Sequence, residues 1–98
     1  MKFRIARAAE RDLEEIGDWI ARYDPDAAAR FTADLEAKAR QIVTMPFAFP
    51  AVGDAADGKL RKRSHRRYII YYRVSRTGVT VTRILRHSRD QAAQLRNP

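Results

Sequence analysis

The side chains best able to do chemistry in this sequence are arginines and a histidine in its second half. A guanidinium group binds carboxylates and phosphates through paired hydrogen bonds, and an imidazole can also transfer a proton near neutral pH. We expect these side chains to contact an anionic partner molecule. The candidate contact residues are Arg61, Arg63, Arg83, Arg86, His87 and Arg89.

The distribution of charge along the chain supports an anionic partner. The 98 residues carry a formal net charge of +8. Residues 1–58 hold 8 basic and 11 acidic residues, a net of −3, whereas residues 59–98 hold 12 basic residues and one acid, a net of +11. A basic half favours nucleic acid or an acidic protein as the partner. Charge alone fits a solvated surface equally well, because long basic side chains also protect an exposed sheet edge from aggregation.

Several classes of catalytic and cofactor site lack the residues that they need. The absence of cysteine excludes disulfides and thiolate metal sites. The sequence has no glycine-rich phosphate loop, no Gly-x-Ser-x-Gly turn and no histidine pair at metal-ligand spacing. His65 and His87 each lie beside an arginine. We therefore expect no metal, no cofactor and no catalytic residue.

Length and hydropathy predict one domain over residues 1–98, because a chain of this size supports a single core. No stretch approaches the roughly 18 apolar residues of a membrane span, so no membrane association is expected. Residues 1–5 are already patterned like a strand and contain no long apolar core, which argues against a secretory signal. The expected location is the cytoplasm.

The first half of the chain is predicted to form a strand and two helices. Residues 2–6 alternate polar and apolar, which is typical of a short strand. Ala9, Leu13, Ile16, Ile20 and Tyr23 recur at three- and four-residue steps and predict one stripe of an amphipathic helix. A second helix is predicted to begin with Asp24 as its N-cap and Pro25 in its first turn. Its apolar residues are Ala28, Phe31, Leu35, Ala39, Ile42 and Val43, and Met45-Pro46 is expected to end it.

The second half is predicted to be sheet. Residues 67–74 and 79–85 are rich in aromatic and β-branched residues and flank the turn 75–78, so they predict a hairpin. In the first run Tyr68, Ile70, Tyr72 and Val74 would share one face, and Tyr68 and Tyr72 are most simply core residues. Residues 59–64 form a weaker, very basic strand candidate, in which Arg61 and Arg63 would share a face. Residues 90–95 predict a short helix or a tail. The fold class is α+β in the order β-α-α-β-β-β, with a helical hairpin on a small, mainly antiparallel sheet.

Four motifs in this order resemble the RelE/ParE toxin superfamily of type II toxin–antitoxin systems. The first helix of that superfamily is similar to residues 9–20, Ala-x-x-Asp-Leu-x-x-Ile-x-x-Trp-Ile. Its interhelix turn and the start of its second helix are similar to residues 24–31, which run from Asp-Pro to Phe. Leu60-Arg61, followed by Tyr68-x-Ile70-x-Tyr72, resembles its central strands. Residues 83–90, Arg-Ile-Leu-Arg-His-Ser-Arg-Asp, are similar to its last strand and the exit from it.

The resemblance implies one of two activities. RelE-like toxins cleave mRNA in the ribosomal A site, whereas ParE-like toxins, which include plasmid-stabilisation proteins, poison DNA gyrase. In RelE-like chains the acid–base roles fall to arginine, lysine and a tyrosine or histidine near the C-terminus. Here the last tyrosine is Tyr72, inside the predicted sheet, and Ile69 stands where RelE-like chains often have arginine. The ParE-like ending is matched by Arg89 and Asp90, while Arg86 occupies its usual histidine position. These features favour the ParE-like branch.

The hypothesis is therefore a toxin that inhibits DNA gyrase, forms a hetero-oligomer with a cognate ParD-like antitoxin and meets operator DNA only through that antitoxin. The resemblance implies that the antitoxin lies on the helical hairpin. The candidate contacts there are Leu13, Ile16, Trp19, Ile20 and Phe31. Two alternatives remain open. One is a ribosome-dependent ribonuclease that uses Arg86, His87 and Arg89, and the other is a non-toxic, basic nucleic-acid-binding domain.

Overall fold

The computed structural model describes residues 1–53 and 59–87 and confirms the predicted α+β class and order of elements. Two helices pack on one face of a four-stranded sheet. The predicted element at 90–95 and the Arg89–Asp90 pair lie outside the described residues. The elements are β1 (Lys2–Ile5), α1 (Arg7–Ala21), α2 (Pro25–Gln41), a 3-10 turn (Ile42–Thr44), β2 (Leu60–His65), β3 (Tyr68–Val74) and β4 (Gly78–Arg86).

The helical hairpin forms as predicted, with two corrections. Asp24 caps α2, since its carboxylate accepts a hydrogen bond from the backbone N–H of Ala27 at 3.1 Å. Tyr23 was assigned to the core stripe of α1, but it lies beyond the end of the helix and is 78% exposed. Ile42 and Val43 were assigned to α2, but they belong to the 3-10 turn. That turn tightens the end of the helix and still buries Ile42 completely.

The sheet has the order β1-β4-β3-β2. The predicted β3–β4 hairpin is present, and β2 joins it antiparallel on the outer side of β3. On the opposite side, β1 pairs with β4 in parallel, with Lys2 opposite Gly78. The sheet is therefore mixed, with one parallel pair among two antiparallel ones. A register irregularity between Tyr71 and Tyr72 locally disrupts the pairing of β3 with β4.

Alternation along β3 places apolar side chains on both faces of the sheet. Ile70 and Tyr72 are fully buried in the main core beneath the helices, where Leu35 and Ile42 meet them. Tyr68 and Val74 pack at its margin, so the predicted sharing of one face by these four residues of β3 is confirmed. A second, smaller cluster forms on the other face. Its members are Leu60, Ile69, Tyr71 and Leu85, with Val52 packed against them.

Two backbone positions shape the sheet. A two-residue turn joins β2 to β3, and there Arg66 adopts a φ of 56°, in the left-handed region that a non-glycine residue occupies only at a cost. At the start of β4, a Cβ added to Gly78 would lie 2.0 Å from the carbonyl oxygen of Lys2. Only glycine therefore allows β1 to approach β4 this closely.

Candidate functional site

The junction of α1 with β4 is fixed by a buried carboxylate. Asp12 is 8% exposed and accepts hydrogen bonds from Arg83 Nε at 2.8 Å and Arg83 NH2 at 3.0 Å. The same carboxylate accepts the backbone N–H of Ile84 at 2.9 Å. Asp12 follows Ala9 by three residues and precedes Ile16 by four, so it lies on the buried side of α1. The two-pronged bond therefore holds the helix in register with the strand.

The Asp12 bonds also set the chemical state of Arg83. Hydrogen bonding to the Asp12 carboxylate raises the pKa of Arg83, although partial burial acts in the opposite direction. Glu15, one turn further along α1, adds a smaller Coulombic attraction that also raises this pKa. Arg83 is therefore a permanent cation whose guanidinium is already engaged by a carboxylate.

An open groove runs beside this ion pair, between α1 and the end of β4. We call it the α1–β4 groove. Its helical wall combines apolar and acidic groups, and its strand wall carries cations. Trp19, at 49% exposure, is a large apolar side chain open to solvent on the helical side. The groove is lined by Glu15, Ile16, Trp19, Tyr68, Arg83 and Arg86.

The aromatic wall of the α1–β4 groove extends past the end of the helix. The rings of Trp19 and Tyr23 meet edge to face, with centroids 6.1 Å apart. The guanidinium of Arg22 lies 5.2 Å from the centroid of the Trp19 ring. Two exposed aromatic rings and a cation thus form a surface patch of a composition enriched in protein-binding sites.

The predicted antitoxin contacts divide among three places. Ile16 and Trp19 line the α1–β4 groove. Ile20 and Phe31 line a second depression, together with Asp34 and Arg66. Leu13 lies in the groove between the two helices, among acidic side chains. The structure therefore brings the five together only in pairs or singly, along one side of the helical hairpin.

The predicted target contacts divide into two groups. Arg61 donates to the carbonyl oxygen of Phe49 at 2.7 Å, and Arg63 donates to that of Lys38 at 2.8 Å. These two lie on the same face of the edge strand β2, as predicted. Arg83 lies on β4, with β3 between it and β2.

The second group of predicted target contacts, which begins with Arg83, continues at the end of β4. Arg86 and His87 are exposed there, and the backbone N–H of His87 donates to the carbonyl oxygen of Arg67 at 2.8 Å. Arg89 lies outside the described residues. The described candidate cations therefore do not form one cluster, and of these Arg83 and Arg86 line the α1–β4 groove with the helix.

Comparison with known proteins decides the family. The model of the ParE toxin of type II toxin–antitoxin systems, parDE, matches residues 3–91. The chain belongs to the ParE toxin family. A solved structure from the chromosomal ParDE toxin–antitoxin system of P. aeruginosa has the same fold, with a TM-score of 0.76 at 19% identity. The alignment covers 90% of this chain and 97% of that one. No curated protein matches the sequence.

The α1–β4 ion pair of this ParE-family chain was missed by the sequence analysis. The signal was present, because Asp12 interrupts an apolar stripe at a position that turns toward the core. A charge on a buried helical face requires a partner. From the sequence, Arg83 was predicted to be a target contact. In the structure, its guanidinium donates a hydrogen bond to the carboxylate of Asp12.

A second missed contact ties α2 to the sheet of this ParE-family chain. His65, at the end of β2, shares a hydrogen bond of 2.5 Å with Asp34 of α2. The imidazole also stacks on the ring of Phe31, with centroids 6.3 Å apart. No sequence pattern linked these residues, since Asp34 and His65 are 31 positions apart.

Within residues 1–53 and 59–87, no group of three or more metal-ligating side chains is placed to hold an ion. In the same part of the chain, no helix combines the length and the apolar character that crossing a membrane requires.

Proposed function

We propose that this ParE-family toxin acts in the cytoplasm by inhibiting DNA gyrase and is held inactive by a cognate antitoxin. The observation that carries the proposal is the match to the ParE family model over residues 3–91, since inhibition of gyrase is the activity that distinguishes ParE-like from RelE-like toxins.

Arg83 and Tyr72, two residue types that RelE-like toxins use in catalysis, are both engaged within the fold, which favours binding over hydrolysis. Cleavage of RNA needs an acid and a base at the reacting phosphate and a cation to stabilise the charge that develops there. Arg83 already binds Asp12. Tyr72 is fully buried and donates its hydroxyl to the carbonyl oxygen of Pro46 at 2.6 Å. An inhibitor that acts by binding needs neither an acid nor a base.

The apolar and cationic lining of the α1–β4 groove matches an amphipathic, acidic segment of an antitoxin. An amphipathic segment could place apolar side chains against Trp19 and Ile16 and acidic ones beside Arg86. Burial of Trp19, which is half exposed in the isolated toxin, would supply the apolar part of the binding free energy. The resulting toxin–antitoxin complex is a hetero-oligomer in which the antitoxin, rather than the toxin, would contact operator DNA.

The gyrase proposal is tested with purified toxin, gyrase, ATP and relaxed plasmid. We expect supercoiling to stop and, after protein denaturation, linear DNA to accumulate. Arg86→Ala should weaken inhibition, whereas Arg11→Ala, an exposed arginine on α1, is the matched control. Full supercoiling at saturating toxin, combined with cleavage of translated mRNA, would instead support the ribonuclease alternative.

The antitoxin proposal is tested separately, by co-expression with a candidate ParD-like antitoxin. We expect that protein to co-purify with the toxin and to restore supercoiling. Trp19→Ala should reduce the affinity of the complex by at least tenfold, because hot-spot aromatic residues typically contribute about 2 kcal/mol or more. An unchanged affinity of the Trp19→Ala variant would show that the antitoxin does not use the α1–β4 groove.

A further inference from the structure

A second groove lies at the far end of the sheet, where β2 begins and β3 turns into β4. We call it the cationic groove. Four of its lining side chains are basic, and none of its described lining residues is acidic. It shares no lining residue with the α1–β4 groove. Its principal residues are Phe47, Lys59, Arg61, Arg73, Arg76 and Thr77.

The aromatic residue of the cationic groove is unusually open to solvent. Phe47 is 66% exposed, although an apolar side chain of this size is normally buried. The guanidinium of Arg61 lies over its ring, 5.1 Å from the centroid. Arg61 is itself held by the hydrogen bond from its NH1 to the carbonyl oxygen of Phe49. The ring therefore has a positioned cation on one side and solvent around most of its surface.

The segment that carries Phe47 is pinned to the sheet on both sides of this residue. Before it, the carbonyl oxygen of Pro46 accepts the buried hydroxyl of Tyr72. After it, the carbonyl oxygen of Pro50 accepts the backbone N–H of Lys62 at 3.0 Å, and Val52 donates to the carbonyl oxygen of Leu60 at 2.7 Å. These contacts preorganise the ring, so that a ligand stacking on it meets a small ordering cost.

We propose that the cationic groove binds single-stranded nucleic acid. Exposed aromatic rings beside cations are the elements with which proteins hold single strands, since bases stack on the ring while cations neutralise phosphates. In the groove, a base would stack on Phe47 beside the Arg61 guanidinium, and the adjoining phosphates would lie against Arg76 and its neighbours. A duplex offers the phosphates but keeps its bases stacked on one another, so it would not use Phe47.

The direct test measures binding of fluorescein-labelled oligothymidylate of about 12 nucleotides by anisotropy, against a duplex of equal length. The single strand should bind more tightly than the duplex. Phe47→Ala should weaken single-strand binding by roughly 5- to 150-fold, the effect of losing one stacked base. Phe47→Trp should retain the binding. Oligouridylate of the same length distinguishes RNA from DNA, and the same dependence on Phe47 with either strand supports the proposal.

The electrostatic part is tested by the dependence of binding on salt between about 50 and 200 mM. Arg76→Ala should lower the slope of log affinity against log salt by about 0.7, the loss of one single-strand phosphate contact. Arg11→Ala, which removes an exposed arginine on α1, should leave the slope unchanged. Equal effects of the two variants would overturn the proposal, because they would show that only net charge matters.

Two further outcomes would also overturn the proposal. One is equal affinity of the wild type and Phe47→Ala for oligothymidylate, with circular dichroism showing that both are folded. The other is displacement of the oligonucleotide by polyglutamate at equal charge concentration, which would identify an acidic protein as the occupant. The gyrase assay is independent of this test, because Phe47 and Arg76, the two residues changed here, are not among the candidate gyrase or antitoxin contacts and do not line the α1–β4 groove.

Discussion

At the scale of single residues, this toxin depends on polar groups that are buried and satisfied. Asp12 is the clearest case, since one carboxylate accepts three hydrogen bonds from β4. Tyr72 is a second case, with its ring in the main core and its hydroxyl on a backbone carbonyl. Within the described residues, no buried side-chain nitrogen or oxygen lacks a partner. Removal of either group should therefore cost more than the loss of one contact.

Asp12→Ala should destabilise the protein by roughly 2–4 kcal/mol, because it leaves the Arg83 cation and the Ile84 N–H without their acceptor. The Arg83 side chain is 24% exposed, which allows water to compensate part of the loss. Urea unfolding measures the change. Glu15→Ala is the control, as it removes an exposed carboxylate of the same helix and should shift stability by less than about 0.5 kcal/mol. Equal effects of the two variants would contradict the assigned role of Asp12.

Tyr72→Phe should cost about 1 kcal/mol at neutral pH through the lost hydrogen bond to Pro46. It should also change the response to alkali. Burial raises the pKa of Tyr72, while Arg61 and Arg63 act in the opposite direction. A raised pKa in the folded state means that stability is fully present below the unfolded value, about 10, and is lost as pH rises above it.

The free energy of unfolding of the wild type should therefore fall more steeply above pH 10 than that of Tyr72→Phe. Denaturant unfolding at a series of pH values measures both slopes. Tyr23→Phe, at a position 78% exposed, should behave like the wild type. Parallel pH profiles for the wild type and Tyr72→Phe would show that the buried phenol does not contribute to alkaline unfolding.

At the scale of elements, two turns of backbone determine how the strands meet. The β2–β3 turn contains Arg66 at positive φ, and β4 begins at Gly78 against the backbone of Lys2. The first position carries a side chain where glycine would be less strained, and the second tolerates only glycine. Substitutions at these two positions should therefore change stability in opposite directions.

Arg66→Gly should stabilise the protein by roughly 0.5–1 kcal/mol, because it relieves the left-handed conformation at φ 56°. Thermal or urea unfolding measures the gain. Arg67→Gly is the matched control in the same turn, where Arg66 alone has positive φ among the described non-glycine residues. There glycine only adds conformational entropy to the unfolded chain and should destabilise by about 0.5–1 kcal/mol. A loss of stability at both positions would contradict the strain argument.

Gly78→Ala should destabilise the protein by about 2 kcal/mol or more, because the new Cβ would overlap the carbonyl oxygen of Lys2 and force β1 away. Hydrogen exchange reports this locally, since the backbone N–H of Ala6 donates to Val81 across the same pair of strands. Gly53→Ala is the control, as nothing lies within 4 Å of a Cβ there. Unchanged protection of the Ala6 amide in Gly78→Ala would refute the close approach.

At the scale of the whole molecule, periodic patterns in the sequence predicted which residues share a face of the sheet. They did not predict which strands pair when the strands are far apart in the sequence. Alternation in β3 correctly placed Ile70 and Tyr72 in the main core, because period-two patterning is imposed directly by strand geometry. Local capping chemistry likewise identified Asp24. The parallel docking of β1 on β4 has no local signature, since it depends on which edge of the sheet remains open after β2 and β3 have paired.

The candidate site was predicted less completely than the fold. The resemblance to the toxin superfamily gave Ile16 and Trp19 as antitoxin contacts, and the basic last strand gave Arg83 and Arg86. All four line the α1–β4 groove. Sequence could not show that Arg83 is bound to Asp12, because the two residues are 71 positions apart. It also gave no role to Phe47, because no periodic pattern covers this residue and only the structure places it beside Arg61.

The pairing of β1 with β4 has a consequence for synthesis on the ribosome. Lys2 of β1 cannot pair until Gly78 of β4 has been synthesised. Roughly 75 residues, or on the order of 4–15 s of translation, separate the two strands. The helices can form while the chain emerges, but β4, the inner strand that anchors both β1 and Asp12, emerges after all the other described strands and helices. A nascent chain therefore lacks the finished α1–β4 groove until β4, residues Gly78–Arg86, has left the exit tunnel.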